Sequence, residues 1–523
     1  MNLSGFALPL ALLAAPVPAA PAVSSDPPAL IVLIAVDQFR GDYAERFAPN
    51  LTGGLARFRE EGTFYANGRQ DHALTATAPG HATMLSGRTP ARMNILTNDH
   101  GVPDPGYPLI AGAAGAGASP ARFQGTALYD WMLAADPSTR ALSISRKDRG
   151  AILPVGRSRA DVYWWADERY TTSTYYRDTL PSWVSEWNAS LRPEQWAGRE
   201  WTLLLPESAY PEPDEMPHEG VGAGRGNVFP HRMERFADVA EFPWSDSLSL
   251  DLALAGVRNL GLGTRGGTDL LVLSLSSLDA IGHDFGPDSR EVHDLVLRVD
   301  RWLDWFMREL EDALAADQIV YVLTSDHGIA TMPAYLLAHG TPDAGRIELR
   351  NAMRPVLAPL QQQFASSFAL ELQSGVVLAD TAAMAGHGID VPAVGDSLAR
   401  RLAGLPGVAR VFTPHSLAAA PDDDEAARLW RRSIPPAHAW LALAEPAEGW
   451  VFTASQKAEH GTPLVTNRHV PVAFLGAGIP AVQPDRVVRT VDIAPTLAAI
   501  LGITPAEVLD GVVLQEVIPL RAQ

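Results

Sequence analysis

The sequence has no cysteine among its 523 residues. That excludes a disulfide framework and any thiolate metal site. A metal held by this chain must take its ligands from His, Asp and Glu, with hydroxyl oxygens as extras. Basic residues are scarce: 41 Lys and Arg against 60 Asp and Glu leave a formal charge of −19. General nucleic-acid binding, which relies on cations neutralising phosphates, is excluded, and an anionic substrate would have to be attracted locally, by a metal or a few basic side chains. After the first two dozen residues, no run approaches the about 20 apolar residues that a bilayer span needs.

Apolar residues make up 47% of the chain, ample for a large core, and the length suggests several domains or one large domain with insertions. Residues 1–22 resemble a signal peptide. An apolar stretch of small residues ends in Ala20-Pro21-Ala22, a small-x-small cleavage site. The mature protein is therefore expected to be soluble and exported, either periplasmic or secreted.

Four apolar runs without alternation, at residues 29–36, 141–145, 268–276 and 318–324, read as strands buried on both faces of a parallel sheet. The predicted fold is α/β, a mostly parallel central sheet flanked by helices on both faces, with inserted cap segments. Open sheets of this kind bind ligands at the carboxyl ends of their strands, and chemistry-bearing residues follow each run. Asp37 follows the first, although alone it reads equally well as a cap or turn residue. Arg146-Lys147-Asp148-Arg149 follows the second, where the cations could grip a phosphate. Asp279 and His283 follow the third, four residues apart and so on one side of a helical turn. Asp326-His327 follows the fourth. Residues 292–314 carry the 3.6-residue period of a helix covering the sheet. Residues 470–475 read as a further strand and 493–501 as an apolar helix.

Other segments leave this rhythm. Residues 103–120 are loop by composition, and Gly222-Ala223-Gly224-Arg225-Gly226 lacks the strand-and-helix context of a dinucleotide loop. The aromatic-rich stretch 161–243 reads as an excursion from the sheet. Residues 334–451, with a helix at 394–403, a strand at 408–412 and an acidic loop at 422–425, read as an inserted small α+β lobe. The catalytic body is then 29–333 with 452–520.

The stretch Leu74-Thr75-Ala76-Thr77-Ala78-Pro79-Gly80-His81 reads as a loop feeding a helix, with Thr77 at the N-cap and Pro79 in the first turn. Such an N-terminus favours an anion, and a threonine oxygen there could be held beside a phosphate. Asp37, Thr77, Asp279, His283, Asp326, His327 and His460 together supply enough N and O ligands for two four-coordinate zinc ions. Two ions about 4 Å apart would clamp the attacking and leaving oxygens of a phosphoryl transfer.

The same residues lie in V-D-Q-F-R-G-D-Y, T-A-P-G-H-A-T, S-R-K-D-R-G-A-I-L-P, L-D-A-I-G-H-D-F-G-P, S-D-H-G and E-H-G-T-P. In order, from about residue 29 to 517, these resemble the alkaline phosphatase superfamily. The resemblance is to its bacterial phosphate-irrepressible branch with a threonine nucleophile, related to the nucleotide pyrophosphatase/phosphodiesterases. It implies one zinc on Asp279, His283 and His460, and another on Asp37, Asp326 and His327 with Thr77 as fourth ligand. It further implies Thr77 as nucleophile through a phosphothreonine, Asn98 as a phosphate-binding residue, and Lys147 with Arg149 as the pair that marks monoesterases. The expectation is a monomeric zinc alkaline phosphatase acting on small phosphate monoesters, without nucleic acid or membrane span. A phosphodiesterase or nucleotide pyrophosphatase on the same metals is the alternative, and a binding protein without turnover is a third reading. A sulfatase would need Cys or Ser in a C/S-x-P-x-R context, where this chain has Thr77-Ala78-Pro79-Gly80.

Overall fold

A computed structural model describes residues 27–216, 219, 225–363, 370–455 and 457–519. The expected signal peptide and Gly222 to Gly224 lie outside the described residues.

The apolar runs form the middle of an eight-stranded sheet. In chain order its strands are β1 (Leu30–Val36), β2 (Thr63–Tyr65), β3 (Ala141–Ser145), β4 (Asp161–Ala166), β5 (Arg169–Thr171), β6 (Asp269–Leu275), β7 (Ile319–Thr324) and β8 (Val472–Gly476). Across the sheet they run β2-β8-β7-β1-β6-β3-β4-β5. From β7 to β4 all neighbours are parallel, and β8, β2 and β5 add antiparallel edges. The sheet is mostly parallel, as its unalternating sequence requires.

Successive side chains of a strand point to opposite faces, and β1 divides accordingly. Leu30, Val32, Ile34 and Val36 enter one core, while Ile31, Leu33 and Ala35 enter the other. The first core is covered by α3 (Trp244–Leu260) and α5 (Arg290–Leu314), the second by α1 (Thr77–Ser86) and α6 (Ile493–Leu501). Helix α5 buries Val292, Leu295, Val299, Leu303, Phe306 and Leu310, which follow the expected period. Its buried Asp300 accepts hydrogen bonds from the N–H groups of Thr52, Gly53, Leu55 and Ala56, satisfying the start of the helix Gly54–Glu61.

Two expectations need correction. The stretch 161–243 does not wholly leave the sheet, because β4 and β5 extend its edge before the chain departs. The acidic loop at 422–425 ends as a helix cap: Asp424 accepts from the Ala427 N–H and opens the helix Glu425–Ser433.

Within 334–451, an antiparallel four-stranded sheet is built from Leu370–Gln373, Val376–Ala379, Val408–Phe412 and Trp440–Pro446. Gly345–Arg346 pairs with Trp450–Val451, so the segment's two ends meet. Leu378, Trp430 and Leu443 of this segment pack with Ala73, Leu74 and Leu96 of the main body.

Candidate active site

Strands β7, β1, β6 and β3 are successive neighbours, so whatever follows their carboxyl ends is brought together by the sheet itself. Asp37 follows β1. Asp326 and His327 come just after β7. Asp279 is in the first turn of α4 (Ser277–Phe285), which follows β6. Lys147 follows β3 and precedes α2 (Asp148–Ile152). Helix α1 lays its N-terminus over this edge at very close range. A Cβ on Gly80 would stand 2.3 Å from the Asp326 carbonyl oxygen, so only glycine allows the approach. His460 enters from the segment before β8, and its Nδ1 donates to the Thr75 carbonyl at 2.8 Å, two residues ahead of Thr77.

The imidazoles and carboxylates form two adjoining groups. His283 Nε2 and His460 Nε2 lie 3.4 and 3.7 Å from Asp279 Oδ1. His327 Nε2 lies 3.6 Å from Asp37 Oδ1 and 3.5 Å from Asp326 Oδ2. Four ligands at about 2.0 Å from a zinc ion are about 3.3 Å from one another, so both groups suit one cation each. The ring tautomers agree. The Nδ1 of His283, His460 and His327 each meets a backbone carbonyl, of Ala458 (2.7 Å), Thr75 (2.8 Å) and Gly328 (2.9 Å). Each Nε2 is left as a lone pair facing the site, the arrangement usual for metal-bound histidine. Asp37 Oδ1 and His327 Nε2 are buried and have no hydrogen bond among the described residues, while the buried Asp326 Oδ2 has His81 Nδ1 beside it at 3.2 Å. Buried acceptors are rarely left so, and Asp37 and His327, with Asp279, present ligand atoms all within 4.8 Å of one another, which fits a cation. Asp279 lies within ligand range of Asp37 and His327 as well as of His283 and His460, so the two groups adjoin through it.

Thr77 is buried, yet it is not the N-cap. Ala76 takes that position, and Thr77 is the first helical residue. The capping is done from outside, by Asn98 Oδ1 accepting the Ala78 N–H at 2.9 Å. Thr77 Oγ1 is thereby released from the bond a capping threonine would make. It receives one from Lys147 Nζ at 3.3 Å, whose ammonium is also 2.5 Å from Asp37 Oδ2 and 2.6 Å from Asp279 Oδ2. Asn98, its oxygen engaged, keeps its NH2 for another partner. Arg149 is not brought to Thr77 by any hydrogen bond. Its guanidinium meets its neighbour Asp148 at 3.4 Å, and its Nε is buried without a partner.

Burial sets most of the electrostatics. It pushes His327 down to about 4 and, with the other imidazoles nearby, takes His460 well below its ordinary value. Burial opposes charge on His283 too, but Asp279 beside it prevails and raises it to about 9. Asp37 is raised by burial and by Asp326, while Asp279 is held low against burial by Lys147 and His283. Carboxylates packed this closely need positive charge between them, which Lys147 supplies in part.

Two residues of the site escaped the sequence. Gln38 has a positive φ of 68° at the end of β1, its N–H donates to Asp326 Oδ1 (3.1 Å), and its Nε2 donates to Asp279 Oδ1 (2.9 Å). Nothing in local pattern marks that role. His81 could have been found, since it follows Thr77 by four residues and so shares its helix face. It is fully buried between the Thr77 carbonyl, Ser274 Oγ and Asp326 Oδ2, at 2.9, 2.8 and 3.2 Å.

Comparison with known proteins follows this geometry. The family model described as type I phosphodiesterase / nucleotide pyrophosphatase matches residues 31–358. The chain belongs to that family. Among this family's members and kin, the chain is 30% identical to alkaline phosphatase PhoK of a Sphingomonas species, covering 94% of this chain and 91% of that one. It is 28% identical to alkaline phosphatase PhoV of Synechococcus elongatus, covering 91% and 90%. The crystal structure of alkaline phosphatase PafA superposes with a TM-score of 0.86 at 26% identity, over 95% of this chain and all of that one. The family fold is thus the fold of this chain.

Proposed function

We propose that this protein is a zinc-dependent alkaline phosphatase that hydrolyses phosphate monoesters through a phosphothreonine on Thr77. Asp279, His283 and His460 would hold one zinc, and Asp37, Asp326 and His327, with Thr77, the other. Bound there, the ions would supply Lewis-acid charge to the attacking and departing oxygens. Near-full-length similarity to three proteins named alkaline phosphatase supports the class.

The residues divide the work as follows. Thr77 gives its hydroxyl proton to water and Oγ1 attacks phosphorus in line, the P–O bond to the alcohol breaks, and the alcohol leaves with a proton from water. Water then attacks the phosphothreonine from the side the alcohol left. The P–O bond to Thr77 breaks, and phosphate departs with net retention. Lys147 sets a positive charge beside the attacked centre, and the free NH2 of Asn98 donates to an equatorial oxygen, where transition-state charge gathers. Arg149, which the resemblance pairs with Lys147, would be a third donor for that oxygen set.

The observation that carries this reading is the ammonium of Lys147, buried and 3.3 Å from Thr77 Oγ1. A monoester has one more charged oxygen than a diester, and a fixed cation at the nucleophile favours it. Export to the periplasm or the medium belongs to the same proposal, supported by the sequence of residues 1–22 alone.

The test compares hydrolysis of p-nitrophenyl phosphate with its bis-ester at alkaline pH. The wild type should strongly prefer the monoester, and Thr77→Ala should turn over neither. Lys147→Ala should lose about 10²–10³-fold on the monoester and far less on the diester. A wild type that prefers the diester overturns the reading in favour of a phosphodiesterase, and metal uptake without turnover of either overturns it in favour of a binding protein.

A further inference from the structure

The chain's large acidic excess is locally reversed in one place. On the far side of the loop that leads to Thr77, a cavity of about 260 Å³ is lined by Arg69, Arg428, Arg468 and Arg489, against only Asp71 and Glu425 as acids. With Asp492, which takes Arg489 at 2.9 Å, and Arg432, which pairs with Asp71, the cluster has five guanidinium groups against three carboxylates, an excess of two positive charges in a protein of net charge −19.

The acids there are already engaged. Asp71, buried, takes Arg428 at 2.8 Å, Arg489 at 3.1 Å and also Arg432. Glu425 takes Arg468 at 3.1 Å. Arg69 is left over. It makes no hydrogen bond or ion pair with any described residue through its side chain, and its Nη1 is buried without a partner. Arg468 is only 8% exposed and is fixed by Nε donating to the Gln70 carbonyl at 3.1 Å. Burial lowers the pKa of both arginines, and Arg468 lowers that of Arg69 further. Guanidinium groups crowded this way, one of them unpaired, are costly without an anion between them. Arg is also the side chain whose donor fork matches a tetrahedral oxyanion. A cavity of this size holds such an anion with several waters, each taking about 30 Å³.

We propose that this arginine pocket is a second anion site, separate from the catalytic edge, and that it binds a tetrahedral dianion. The ligand is inorganic phosphate or the phosphate group of an organic ester, which share this chemistry. The pocket's floor connects to the active site: Gln70, gripped by Arg468, donates through Nε2 to the Ser325 carbonyl at 2.9 Å, next to Asp326. Occupancy would steady the loop from Asp71 to Thr77 from behind. Nothing in this site depends on the monoester reading, since neither Thr77 nor the metal-ligand candidates line it.

The test uses the full, metal-loaded protein and inorganic phosphate as probe. Calorimetry should count two phosphates per chain, one with an affinity equal to the inhibition constant for turnover and one distinct from it. Arg69→Gln should weaken the second by about tenfold or more, with the inhibition constant unchanged. Crystals soaked in selenate should give an anomalous peak between Arg69, Arg468 and Arg489, a readout that stands even where the variant does not fold. Repeating the titration with glycerol 2-phosphate on the Thr77→Ala protein separates the sources: equal binding at the second site means a general phosphate site, and binding of inorganic phosphate alone means a site for the free ion. One phosphate per chain in the wild type, an empty pocket in the soaked crystal, or a second site indifferent to Arg69→Gln would overturn the proposal.

Discussion

The amide of Asn98 faces two ways. Its oxygen satisfies the Ala78 N–H at the start of α1, and its nitrogen is left for the substrate. The two roles are separable by substitution. Asn98→Asp keeps an acceptor for the helix but sets a negative charge where the phosphate must lie. Its melting temperature should stay near that of the wild type while kcat/KM for a monoester falls by about 10²-fold or more. Asn98→Ala should show the same kinetic loss and, in addition, a loss of about 1 kcal/mol in stability, the usual value of an N-terminal cap. Thermal melts beside steady-state kinetics check both. Equal stability in the two variants would mean that the cap contributes nothing.

At the level of elements, the start of α4 depends on a buried acid in α3. Asp246 Oδ1 accepts the N–H groups of Ser276 and Ser277, at 2.8 and 3.0 Å, just ahead of Asp279. Burial raises Asp246 to about 6, above its ordinary 3.8, against the pull of those hydrogen bonds. Between these values the folded protein holds a proton that the unfolded chain has released. The stability this group contributes is therefore full below pH 3.8 and falls as pH rises to about 6. Asp246→Asn keeps an acceptor without titrating. Its stability relative to the wild type should rise by up to about 3 kcal/mol across that window and be flat above it, as denaturant melts at a series of pH values would show. A difference that does not change with pH would exclude this role.

Elements also mark how much the sequence could disclose. The central strands were legible because burial on both faces leaves unbroken apolar runs, and the acids at their ends because a charge directly after such a run is conspicuous. Helix α5 was legible from its period. What stayed hidden depends on partners distant in sequence. Ala76 rather than Thr77 takes the cap position of α1 because Asn98, twenty residues beyond Ala78, brings the oxygen to the Ala78 N–H. Gln38 accepts its left-handed backbone because two carboxylates distant in sequence, Asp326 and Asp279, reward it. Within 334–451 the strand Val408–Phe412 was evident, but Val376–Ala379 is short, and it and Trp440–Pro446 find their pairing only in three dimensions.

For the molecule as a whole, the candidate metal site is also a source of cohesion. Asp37, Asp279 and Asp326 come from separate elements and are buried together, so without a cation the mutual repulsion of their carboxylates opposes folding. Prolonged chelation should abolish turnover and lower the melting temperature. Zinc at a thousand times its Kd should restore about 4 kcal/mol by mass action. Calorimetry of apo and reloaded protein checks this, and identical melts would mean that the acids are held by the fold alone.

The pairing of Gly345–Arg346 with Trp450–Val451 closes a long detour in the chain, and His460 comes only after it. A polypeptide still emerging from the ribosome would thus have most of its ligands in place, yet lack the last imidazole and the strand β8, which joins β2 to β7, until the detour has been made. The full set of candidate ligands then exists only once that detour has closed, and a chain cut short of His460 would leave the buried carboxylates around Thr77 without it.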